Sequence, residues 1–167
     1  MHQFQLVEVN IMDTAIVYYS KHHGNTKKLL EAIGAVDPSL TLIDAVEQPD
    51  AGLSAYDRIG FASGIYFASF AKQVLSYADA HLPENKDVFY ICTHGAPVGG
   101  FLKSIREIAE RKHCRELGSY HCLGFDTFGP FRIVGGIAKG HPNEEEIAAA
   151  VRSYQELQQA RPMQPSC

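Results

Sequence analysis

At 167 residues the chain has room for one domain around one hydrophobic core, and 46% hydrophobic with 20% charged residues is the make-up of an ordinary globular protein, not of a disordered or fibrous one. A net charge of -4 without any stripe of Lys and Arg argues against a nucleic-acid backbone as partner. The longest apolar runs are strand-sized, far short of the ~20 residues a membrane helix requires, and no basic-then-apolar leader opens the sequence, so neither membrane insertion nor secretion is expected.

Residues 1–13 precede the first strong strand and read as an N-terminal extension. From Thr14 onward, short apolar runs alternate with amphipathic stretches, the pattern of parallel βαβ units whose strands are buried on both faces. Five strands are predicted: Ala15 to Tyr19, Leu40 to Ile43, Arg58 to Ala62, Asp87 to Cys92 and Tyr120 to Gly124. A first helix should start near Asn25, carry Leu29, Leu30 and Ile33 on one face and stop at Gly34. A later one carries Phe101, Leu102, Ile105, Ile108 and Ala109 on its apolar side. The last begins at Asn143, with Glu146 completing a capping box and Ile147, Ala150, Val151 and Tyr154 facing inward. Residues 14–160 then form the domain, and 161–167 a flexible tail.

The strongest chemical signal is AIVYYSKHHGNTKKLLEAIG, where a buried strand runs through a short turn into a helix at Gly24-Asn25-Thr26. Unpaired N–H groups of the turn and the helix dipole make such a junction an anion site. Gly24 permits close approach, Ser20 and Thr26 offer hydroxyls, and Lys21 offers a charge. Neither GxxxxGK[ST] nor GxGxxG is present, so a mononucleotide suits the turn better than a nucleoside triphosphate or a dinucleotide.

Gly24-Asn25-Thr26 matches the end of the first loop of flavodoxins, approximately [ST]-x-T-G-N-T, and the chain resembles that family over almost its whole length. The resemblance implies an α/β, flavodoxin-like three-layer sandwich: a five-stranded parallel sheet of order 2-1-3-4-5 with helices on both faces and FMN at its carboxyl edge. It assigns phosphate contacts to Ser20, Lys21, His22, His23, Gly24, Asn25 and Thr26. It brings Ser63, Gly64, Ile65, Tyr66 and Phe67 to the flavin ring, with Tyr66 as the stacking residue, and Thr93, His94, Gly95, Gly99 and Gly100 to its pyrimidine edge. His94 could hydrogen-bond there, although a loop histidine is by default expected to be exposed.

Three features depart from the family. Lys21, His22 and His23 stand where hydroxyl residues are usual, THGAPVGG lacks the aromatic that commonly sandwiches the flavin, and Phe125 to Asn143 is a long glycine-rich connection, a lid or added hairpin. Phe128, Phe131, Arg132 and Lys139 of that segment could face the flavin edge or a partner. Cys92 closes an apolar strand and should be buried and inert. The four cysteines form no CxxC pair, which fits reduced thiols in a cytoplasmic protein. No metal site and no acid–base catalytic residue are assigned. Three functions follow from the resemblance: an electron carrier cycling FMN through one or two electrons with unidentified redox partner proteins, an NAD(P)H-dependent flavin or quinone reductase with an open flavin face, or a cofactor-free interaction module, as monomer or dimer.

Overall fold

The computed structural model describes residues 12–21, 23–96, 99–127 and 129–162. His22, Phe128, most of the N-terminal extension and residues 163–167 of the tail therefore lie outside the described residues. The elements follow in the order β1 (Thr14–Tyr19), α1 (Asn25–Val36), β2 (Thr41–Asp44), β3 (Arg58–Tyr66), β4 (Ser69–Phe70), α2 (Lys72–His81), β5 (Asp87–His94), α3 (Lys103–Arg111), β6 (Arg115–Leu123) and α4 (Glu144–Gln158), with a 3-10 turn at Gly129–Arg132. No helix among the described residues is long and apolar enough to cross a membrane.

The sheet order is β2-β1-β3-β5-β6, every pair parallel, and β4 folds back antiparallel on the end of β3. Leaving out that two-residue strand gives the expected order of five. Alternate residues of the strands feed two cores. Val17, Phe61, Val88 and Tyr90 meet Val74 and Tyr77 of α2 and Ile105 and Ile108 of α3 on one face. Ile16, Ala62, Phe89 and Ile91 meet α1 and α4 on the other. Leu29, Leu30 and Ile33 are fully buried there, each stabilising by roughly 1.5–3 kcal/mol. Gly60 lets the second layer close: a Cβ there would lie 2.5 Å from the Phe89 ring.

Several boundaries differ from the sequence reading, each for a physical reason. α1 passes through Gly34 to Val36, because the stop comes from Asp37 followed by Pro38, which disfavours a helical residue before it. α2 is an additional helix, carrying Val74, Tyr77 and Ala78 inward. Phe101 sits in the turn before α3 and not on the helix. β6 starts at Arg115, five residues before the predicted start, because an edge strand tolerates exposed Arg115, Glu116 and Ser119. Arg115 holds Asp87 of β5 through two bonds of 2.7 Å. The capping box at Asn143 forms as expected, with Glu146 N donating to Asn143 Oδ1 at 2.9 Å and Asn143 N to Glu146 Oε2 at 2.7 Å.

Candidate functional site

All five parallel strands end on one edge, and the loops that leave that edge enclose a cleft. Ser20, Asn25, Thr26, Gly64, Ile65, Tyr66, Thr93, His94 and Gly95 line its inner part, with Gly124, Phe125 and Asp126. An adjoining crevice shares Ile65, Tyr66, His94, Gly95 and Asp126 and continues outward between the Phe67-Ala68 tip and Pro130-Phe131. The result is one groove, with the β1–α1 turn at its inner end and two aromatic residues at its outer end.

At the inner end Gly24 is left-handed at φ 64° and caps α1 without a side chain. Ser20 Oγ accepts from Lys27 N at 3.2 Å. Earlier amides of the first turn have no intrahelical acceptor, and with the helix dipole they favour an anion. Thr26 is 1% exposed, and its hydroxyl meets that of Thr93 at 3.0 Å, tying the turn to β5. Asn25 Nδ2 donates to Phe125 O at 2.7 Å, and its Oδ1 is buried with no partner among the described residues. His23 turns away from the anion position: Nε2 lies 2.9 Å from Thr127 Oγ1 and the ring packs on Phe125 at 4.3 Å. Lys21 is exposed and outside the groove lining.

The segment expected as a loop after the third strand is the end of β3 plus a tight hairpin. Phe67 and Ala68 both have positive φ, 48° and 59°, as a two-residue type I′ turn demands. Without Asn or Gly, each left-handed residue costs on the order of 1–3 kcal/mol. Ser63 is fully buried and serves this hairpin, its Oγ accepting from Ala71 N at 2.9 Å and donating to Gly64 O. Tyr66 folds over Gly64, its hydroxyl 3.1 Å from where a Cβ would be, and meets Tyr19 edge-on at 6.4 Å. Phe67 stands at the tip, 87% exposed.

His94 corrects the expectation of an exposed loop histidine. It is the last residue of β5 and 7% exposed, because β6 pairs alongside it through Leu123. Nε2 lies 3.0 Å from His121 Nδ1, Phe101 packs against both rings, and His94 Nδ1 is buried with no partner among the described residues. Burial first, and the neighbouring His121 second, lower its pKa below the ordinary histidine value. Gly95 touches Asp126, whose Oδ2 would be 2.5 Å from an added Cβ. Gly99 and Gly100 are exposed and line neither part of the groove. Cys92 is buried as expected, and burial pushes its thiol up to about 12.

The residues that sequence reasoning missed are His121, Gly124, Phe125 and Asp126. The connection after β6 supplies the last three. Its Phe125 N donates to His141 O, and Asp126 and Ile137 exchange two backbone bonds of 3.0 and 2.8 Å. It is thus a closed loop, and it places Phe131 at the wall where THGAPVGG has no aromatic.

Fold and groove together define a doubly wound α/β protein with a tight strand-to-helix turn and a cleft at the carboxyl edge of its sheet. A family model described as Flavodoxin domain matches residues 16–97. A protein of Methanocaldococcus jannaschii, described as uncharacterized, is 37% identical over 142 residues, covering 83% of this chain and 93% of the relative. Among solved structures, a Fusobacterium nucleatum flavodoxin variant bound to flavin mononucleotide superposes with a TM-score of 0.60 at 12% identity, covering 89% of this chain and 96% of that one. An NADPH-quinone reductase from P. pentosaceus gives 0.60 at 15% identity, covering 85% and 97%. The chain belongs to the flavodoxin family.

Proposed function

We propose that the groove binds FMN and that the protein is an electron carrier. One observation carries the cofactor. Of the four buried side-chain polar atoms without a partner among the described residues, two belong to residues lining the groove, Asn25 Oδ1 and His94 Nδ1. Buried polar groups are almost always paired, so two unpaired atoms in one cleft mark where a polar ligand completes them. Their placement suits FMN. The amides of the α1 turn would take the phosphate, Asn25 Oδ1 would accept from a ribityl hydroxyl, and Tyr66 and Phe131 would flank the ring. FMN supplies reversible one- and two-electron chemistry, while the residues bind and orient it. This reading leaves out five of the expected contacts: Ser63 and His23 hold protein segments, and Lys21, Gly99 and Gly100 line neither part of the groove.

The carrier reading takes the whole groove for the cofactor, because the outer crevice continues the inner part, and the imidazole and the one carboxylate of the described lining, His94 and Asp126, stand in the space both parts share. A titration of the apo protein into FMN, followed by flavin fluorescence, tests the cofactor, with quenching to a saturable endpoint expected and unaltered fluorescence refuting it. Mixing the loaded protein with NADPH under anaerobic conditions tests the role. A carrier keeps its oxidised flavin spectrum over minutes, whereas bleaching within seconds would make it a reductase.

A further inference from the structure

We propose that His94 and His121 form a proton relay between the cleft and solvent, a role that rests on the flavin reading of the groove. His94 lines both parts of the groove and is 7% exposed, whereas His121, on the neighbouring edge strand, is exposed. The 3.0 Å contact joins Nε2 of the first ring to Nδ1 of the second. Phe101 packs on both rings, at 5.7 and 5.2 Å, and helps hold them in register. One end of this pair is thus a buried Nδ1 with no partner among the described residues, on a residue of the cleft lining, and the other end is an exposed ring.

Two-electron reduction of a flavin to its neutral form takes up two protons. A dihydronicotinamide donor brings one of them with its electron pair, and a one-electron donor brings none, so at least one comes from water. In the relay His94 carries its proton on Nδ1 and accepts at Nε2 from His121 Nδ1–H. His94 Nδ1 releases its proton into the cleft, His94 Nε2 takes the proton of His121 Nδ1, and His121 Nε2 takes one from water. Exactly one proton has then crossed, both rings are neutral, and both tautomers are exchanged. Reoxidation returns the proton along the same path and restores them.

The surroundings suit a neutral shuttle better than a fixed cation. Burial and His121 both disfavour charge on His94, while a contact with its own backbone and, behind it, Glu146 of α4 oppose them more weakly. Asp126 and Tyr66 stand across the groove, and the neighbouring Cys92 of β5 holds its thiol proton.

The first test needs no cofactor. Nitrogen-15 NMR of the histidine rings of the apo protein between pH 7 and 8 should find His94 neutral with its proton on Nδ1. A proton on Nε2, or a charged ring at pH 7, would overturn the relay. The second uses FMN-loaded protein reduced by dithionite in stopped flow, reading the absorbance change on flavin protonation. His121→Phe removes the outer ring, and His121→Gln keeps a hydrogen-bonding group that cannot pass a proton. Both should slow proton uptake at least tenfold, with recovery in added imidazole and FMN affinity within about twofold. Normal FMN binding with an unchanged protonation rate would sink the relay alone, whereas failure of the wild-type protein to bind FMN would sink the flavin reading and the relay together.

Discussion

The hydroxyl pair Thr26–Thr93 allows the site to be taken apart in two stages. Thr26→Val keeps the side-chain shape but leaves the Thr93 hydroxyl, in a residue 3% exposed, without its 3.0 Å partner. Leaving a buried polar group unmade costs about 1–3 kcal/mol, whereas replacing both partners by apolar groups of the same shape is nearly neutral. Each single variant should therefore lose about 1–3 kcal/mol in urea denaturation of the apo protein, and Thr26→Val/Thr93→Val should lose less than either. FMN affinity should not recover with stability. With Thr93 donating to Thr26, the Thr26 proton is available to a phosphate, and a hydrogen bond to a charged group is worth about 1.5–3 kcal/mol. The double variant should thus bind FMN roughly tenfold or more weakly, measured by flavin fluorescence. Additive destabilisation of the two singles would refute the pairing argument. Wild-type affinity in the double variant would remove Thr26 from the phosphate site.

Arg58 is 1% exposed at the start of β3 and donates to Gln158 O and Gln158 Oε1 at 2.8 Å each, and to Ala160 O. Arg58→Met should cost about 2–4 kcal/mol and speed amide exchange in the last turn of α4, and a loss below about 0.5 kcal/mol would contradict this anchoring. Tyr154 OH donates to Asp37 Oδ2 at 2.5 Å. Burial alone would raise the Asp37 pKa, but hydrogen bonds from Ser39 and Tyr154 outweigh it and hold the carboxyl below its ordinary value. A lowered folded-state pKa gives stability that is full above the unfolded value, near about 4, and fades as pH falls through the folded one. The thermal stability gap between wild type and Tyr154→Phe should then be wide at about pH 6 and narrow progressively as pH falls below about 4, and a gap independent of pH would exclude this linkage.

The features legible in the sequence are those whose cause is local. The β1 run followed by Gly24-Asn25-Thr26 predicts the tight strand-to-helix turn, because a buried strand entering a helix through glycine has few other geometries. Asn143 and Glu146 predict their own capping box. The features that were missed depend on partners far along the chain. Asn25 binds Phe125 one hundred residues away, and nothing around Phe125 announces that contact. His94 reads as a loop histidine until β6 is placed beside it. The Phe67-Ala68 hairpin lacks the Asn-Gly signature of its turn and is imposed by Ser63 and the pairing of Ile65 with Phe70.

Three segments around the groove are held by other parts of the chain before any ligand arrives. Thr93 holds the α1 turn, Asn25 and His23 hold the connection after β6, and Ser63 clamps the strained hairpin under Tyr66. Asp126 fills the space over Gly95, so the floor cannot close without moving the opposite wall. Ordering a loop on binding costs on the order of 0.5–1.5 kcal/mol for each immobilised flexible side chain, and here folding has already met that cost. A groove fixed in this way would offer a redox cofactor nearly the same surroundings on electron gain and loss. Only the protons would have to travel, and among the described residues the one titratable side chain both buried in the cleft lining and bonded to an exposed neighbour is His94.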